Sequence, residues 1–136
     1  MAHPRIVVAL FSAVALMAFP SIAHHSYAAY DLINTRTLKG TIEGFHWSNP
    51  HSTFTLVLDP GASSEPIHWN IITSSPAILK RFGWTQHSLK PGDRVSVVCN
   101  PMSDGSPAGR LHTVLLLDTG QELRTKLSGD ELSRIE

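Results

Sequence analysis

Ile67-His68-Trp69-Asn70-Ile71-Ile72, followed at once by Thr73-Ser74-Ser75-Pro76-Ala77-Ile78-Leu79-Lys80-Arg81-Phe82-Gly83, is the stretch on which the fold turns. In the first six residues Ile67, Trp69 and Ile71 alternate with His68, Asn70 and Ile72, the period of a half-buried strand. The second segment reads as a short helix. Ser74 or Ser75 supplies a side-chain oxygen for the first free amides, and Pro76 suits the first helical position. Ile78, Leu79 and Phe82 give the helix an apolar face, and Gly83 offers the left-handed stop.

Two strands precede this unit. Residues 38–46 mix β-branched side chains with Gly40 and Gly44, which suggests a bent or bulged strand. Trp47-Ser48-Asn49-Pro50 is a turn, because Pro50 pushes Asn49 out of the helical region. Residues 52–58 alternate, with Phe54, Leu56 and Leu58 on one face and Thr53, Thr55 and Val57 on the other. Two more strands follow the helix. Leu89-Lys90-Pro91-Gly92-Asp93 is a turn into residues 94–100, and the loop Ser103-Asp104-Gly105-Ser106-Pro107 leads to residues 111–117. After Gly120 the chain turns polar, and residues 121–136 read as a frayed helix or a disordered tail. The class is all-β. Five short strands over residues 37–119, with one short helix between strands three and four, is the order of an OB-like barrel. An open β-sandwich or meander built of the same strands is the alternative.

The 136 residues include 11 basic and 11 acidic groups, so the formal charge is zero. A nucleic-acid binder normally carries a basic patch, and none is expected here. Residues 1–23 read as a cleavable signal peptide. Arg5 provides the positive start, Ile6 to Phe19 the apolar run, Pro20 its end, and Ser21-Ile22-Ala23 the small residues before cleavage. The run is short against the roughly 20 residues a membrane span needs. The expected product is periplasmic or secreted, begins at His24 and carries no membrane span. Residues 24–36 would be an irregular arm, residues 37–119 the barrel and residues 120–136 the tail.

Several motifs together resemble a family of small secreted bacterial proteins catalogued as a domain of unknown function. They are His24-His25-Ser26-Tyr27, Trp47-Ser48-Asn49-Pro50-His51, Gly83-Trp84, Leu89-Lys90-Pro91-Gly92-Asp93 and Asp104-Gly105-Ser106-Pro107-Ala108-Gly109. The resemblance implies export and a barrel-like fold, and it implies no activity. Cys99-Asn100 stands where the family pattern leads one to expect a glycine after the fourth strand.

Eight histidines are the unusual count. Cleavage after Ala23 would expose His24 with both its ring and its α-amine, which titrates near about pH 8. His25 follows directly, and His46 and His51 flank the first hairpin turn. Nitrogen donors of this kind suit Cu(II), and Ni(II) or Zn(II) less specifically. His24, His25, His46 and His51 are therefore the candidate metal ligands, with copper the candidate ion. Purely structural histidines in a ligand- or protein-binding barrel are the competing reading. His68, His87 and His112 are read as structural. Trp47, Trp69 and Trp84 would either stack on a ligand or fill the barrel ends, and the small aromatic content favours filling. No Gly-x-Ser-x-Gly elbow and no phosphate loop is present, so no catalytic residue is assigned. The lone Cys99 shares a face with Val95 and Val97 and reads as inert core.

Overall fold

The computed structural model describes residues 29–58 and 65–125. The expected leader, His24, His25 and residues 126–136 lie outside the described residues. Six strands and one helix follow in order: β1 (Arg36–His46), β2 (Thr53–Leu58), β3 (Ile67–Ile72), α1 (Pro76–Arg81), β4 (Arg94–Pro101), β5 (Ala108–Leu116) and β6 (Glu122–Arg124). Antiparallel pairs join β3, β2, β1, β4 and β5 in that spatial order. A short parallel pairing of Asn70, Ile71 and Ile72 with Ala108, Gly109 and Arg110 closes the ring. The result is the five-stranded OB-like barrel, with α1 between β3 and β4, and not an open meander.

β1 makes closure possible because it serves two neighbours. Its first half, from Arg36 to Thr41, pairs with β4, while Gly40 to His46 pairs with β2. Gly40 pairs with both partners and is crowded by β2; a Cβ there would stand 2.2 Å from the Val57 carbonyl oxygen. Just beyond, the register with β2 slips between Ile42 and Gly44. Glu43 is the extra residue of this bulge, which bends the strand and raises its twist.

The barrel interior follows the alternation. Phe54 and Leu56 from β2, Trp69 and Ile71 from β3, Val95, Val97 and Cys99 from β4, and Leu111 and Val114 from β5 are all buried. Each such aliphatic or aromatic side chain contributes about 1.5–3 kcal/mol by leaving water. Leu79 and Trp84, on α1 and just after it, join the same core.

Three expectations need correction. No side chain caps α1; the Ser75 carbonyl instead accepts the amides of Ile78 and Leu79. Ile78 is exposed, and the helix buries Leu79 alone, with Phe82 half-buried beside it. Gly83 does take the left-handed conformation after the helix, at φ 81°. β5 starts at Ala108, because the parallel pairing with β3 needs a partner there.

The largest difference lies after Gly120. Residues 122–124 form a strand on the edge of β5, neither a frayed helix nor a loose tail. Leu123 is buried, the Trp84 indole donates to the Arg124 carbonyl at 2.7 Å, and the Thr125 hydroxyl donates to the Leu111 carbonyl at 2.9 Å. Three interactions with residues distant in sequence thus hold a segment whose polar composition hides its single apolar anchor.

Candidate ligand-binding face

Of the four proposed metal ligands, only His46 and His51 lie among the described residues. His46 ends β1 opposite Thr53 and is exposed, whereas His51 lies half-buried in the connection to β2, with its Nδ1 inaccessible to solvent. His24 and His25 lie outside the described residues. No group of three or more His, Cys, Asp or Glu side chains is placed to hold a metal ion among the described residues.

The outer face of β1, β2 and β3 has a consistent chemistry. Strand pairing aligns three rows across it: Thr41, Val57 and His68; Gly44, Thr55 and Asn70; and His46, Thr53 and Ile72. Partners in an antiparallel row project to the same side. The β1 bulge adds Glu43, whose carboxylate reaches across to His68 Nδ1 at 3.2 Å. Both side chains are more than half exposed, so the pair adds little stability, on the order of 0–1 kcal/mol. It does orient the imidazole. Neither β2 nor β3 contains a Lys, Arg, Asp or Glu.

Two loops border this face. Residues 47–52 carry Trp47, which is half-buried and packs edge-on against Phe45 at 5.8 Å between ring centres. Trp69 and Trp84 are buried, so for these two the barrel-filling role holds. On the other side, residues 102–107 are shaped by Asp104, whose carboxylate accepts from the Ser106 amide and hydroxyl. The Ser106 hydroxyl in particular holds the Asp104 carboxyl below the usual carboxylate range.

The arm before β1 docks on this second loop. Ala29 accepts from Ser103, Tyr30 bridges Met102, and the Asp31 amide donates to Pro101. Asn100, 2% exposed, fixes the rest: its Nδ2 donates to the carbonyls of Asp31 and Asn34, both at 2.8 Å. Its Oδ1 therefore faces His112 Nε2, 2.5 Å away, which must carry the proton. A buried amide inside a Val-rich strand needs such partners, and that was the signal in the sequence for this junction. Cys99, beside it, is buried, and desolvation pushes its thiol up to about 11 against a smaller opposing effect of Arg36. It is core, as the sequence implies.

The family described as "Family of unknown function (DUF6152)" matches residues 12–111. The chain belongs to this family. The DUF6152 match takes in β1 to β4, α1 and the start of β5, together with both loops that border the face. No curated protein and no solved structure matches the chain. No helix among the described residues is long and apolar enough to cross a membrane.

Proposed function

We propose that the chain is an exported binding protein that holds a neutral, extended, polar ligand of oligosaccharide type on the outer face of β2 and β3. The observation that carries this reading is the absence of charged residues from both strands, combined with outward Thr53, Thr55, His68 and Asn70. Hydroxyl, amide and imidazole groups match the donors and acceptors of a sugar, whereas a nucleic-acid backbone calls for Lys and Arg. OB-type barrels bind across strands two and three between the loops that border this face, a likeness of fold that sets the location and not the ligand. Trp47 on the border supplies a half-exposed ring for stacking. Export rests on the leader pattern of residues 1–23.

Copper held through His24, His25, His46 and His51 is the second reading. It rests on the terminal histidine pair and on the exposed imidazole of His46. One experiment separates the two. Isotope-labelled protein beginning at His24 is titrated with chitotetraose and cellotetraose, with and without EDTA, and amide shifts are followed by NMR. The expected result is saturable shifts at Thr55, His68 and Asn70 that persist in EDTA and weaken at least tenfold in Asn70→Ala. Shifts that vanish with EDTA, or no shifts on β2 and β3 with either sugar, would overturn the face as a glycan site.

A further inference from the structure

The side of α1 that points away from the barrel has an unusual make-up. With Leu79 turned into the core, the period of 3.6 residues sets Ala77 and Arg81 on the opposite side and Ile78 and Lys80 on its flanks. All four are exposed. Ile78, at 44% exposure, is an apolar residue that the core leaves unused, and Phe82, one turn further on, is half-buried. The helix is held at both ends. Ahead of it the Ser52 amide donates to the Ser74 carbonyl at 3.0 Å, and behind it the Trp84 amide donates to the Leu79 carbonyl at 3.2 Å.

Charge on this face is of one sign. The chain as a whole is neutral, yet no Asp or Glu occurs from residue 66 to residue 92, and Lys80 and Arg81 make no ion pair among the described residues. Carboxylates on the neighbouring turns and on β6 are engaged by other groups: Asp93 accepts from the Lys90 amide, Asp118 from Arg94 and Glu122 from Arg124. Cations in a last turn do suit the carbonyl end of a helix. That role accounts for Lys80 and Arg81 and leaves the exposed Ile78 without one.

We infer that the outer face of α1 is a contact surface for an anionic phospholipid bilayer, with Ile78 entering the headgroup layer and Lys80 and Arg81 on the phosphates. The stems of Lys and Arg lie along apolar surface while their charged heads reach outward, so the three side chains can serve one interface. An apolar side chain set shallowly in the boundary and flanked by cations is how surface helices hold to anionic membranes. An acidic protein segment would also meet the charges. The face is convex, however, with Ile78 projecting from it, and a fluid surface closes round a projecting side chain without needing a pocket shaped to it. Each cation near an anionic bilayer contributes about fivefold to partitioning, which makes the contact reversible and sensitive to salt. The surface is separate from the β2–β3 face and does not depend on that face binding anything.

The test is co-sedimentation of the protein beginning at His24 with phosphatidylcholine vesicles, plain or containing about one third phosphatidylglycerol. Binding should appear on the anionic vesicles and weaken at least about fivefold as salt rises from about 0.05 M to about 0.5 M. Lys80→Gln combined with Arg81→Gln should weaken it at least tenfold, and Ile78→Gln severalfold, with unfolding midpoints near that of the parent. Lys39→Gln, which removes an exposed cation from β1, should bind as the parent does. The assignment is overturned by absence of binding to anionic vesicles, by equal binding to plain ones, or by Lys39→Gln weakening binding as much as Lys80→Gln does. Ile78→Gln matching the parent would overturn it as well, since that is what an acidic protein segment recognised by charge alone predicts.

Discussion

Gly40 and Gly44 look alike in the sequence, and the structure assigns them opposite tolerances. Both lie in β1, and neither has positive φ. A Cβ on Gly40 would stand 2.2 Å from the Val57 carbonyl oxygen and 3.1 Å from Leu56 Cδ1, while a Cβ on Gly44 meets nothing within 4 Å. The obstacle at Gly40 is backbone, so Gly40→Ala must move β1 away from β2 where Gly40 also pairs with β4. Overpacking of this kind costs about 1–3 kcal/mol, and each ladder hydrogen bond lost adds about 1 kcal/mol. A total near 3–4 kcal/mol is expected. Gly44→Ala should instead stabilise by about 0.4–1 kcal/mol, because alanine restricts the unfolded chain more than glycine does. At about 4–8 °C per kcal/mol for a domain of this size, the two variants should differ by at least about 14 °C in midpoint. Thermal unfolding followed by circular dichroism reads the difference directly. Equal midpoints, or Gly44→Ala as the weaker protein, would refute the shared-strand account of β1.

Leu123→Ala should cost about 2–3 kcal/mol, near the lower end for buried leucine because a terminal strand can partly collapse, whereas exposed Leu117→Ala should change stability by no more than about 0.5 kcal/mol. Urea unfolding of the pair checks this, and equal midpoints would mean that β6 does not belong to the core. Cys99 should resist iodoacetamide in the native protein at pH 8 and react at once in denaturant; rapid native labelling would contradict its burial. Its folded thiol titrates at about 11 against an ordinary value of 9.0, so the folded state binds more protons in that interval and stability should fall as pH rises from about 9 towards about 11. Cys99→Ala should abolish that component of the fall. If copper is held through the processed terminus, one residue placed ahead of His24 should weaken Cu(II) in a competitive titration, His51→Ala should weaken it too, and binding should fade below about pH 6. Equal affinity in all three proteins would remove the terminal histidines as a site.

The barrel was legible because its strands obey period two where they line the interior. Phe54, Leu56, Trp69 and Ile71 fall on the buried face that alternation assigns them. The bend in β1 was legible as well, from two glycines in a β-branched run. Which glycine was indispensable was not, since that depends on Val57 from another strand. β6 escaped because its one buried apolar residue, Leu123, is flanked by Glu122 and Arg124 and gains its place from contacts distant in sequence. The orientation of the hairpin histidines was not legible for a related reason. Spacing brings His46 and His51 to one hairpin, but the side to which each ring points is set by strand register and loop packing, which leave one exposed and the other half-buried.

One residue of the framework joins the bend of β1 to the turn before β4. Ile42 is buried beside the bulge; its amide donates to the Asp93 carbonyl at 2.9 Å and its carbonyl accepts from the Gly92 amide at 2.8 Å. These bonds seat the turn that carries Lys90 and Asp93 against β1. On the other side of the same residue the register slips, and Glu43 turns outward to His68 on the open face. The bend that allows five strands to close therefore also fixes a side chain of the face and the turn into β4. Ile42→Ala should lower the unfolding midpoint and weaken ligand on the face together through the backbone, whereas Asn70→Ala should weaken ligand with the midpoint unchanged. A titration and a thermal melt of both variants check this, and an Ile42→Ala protein as stable as the parent would refute it. Closure of the barrel, and not any one loop, thus shapes the proposed ligand face.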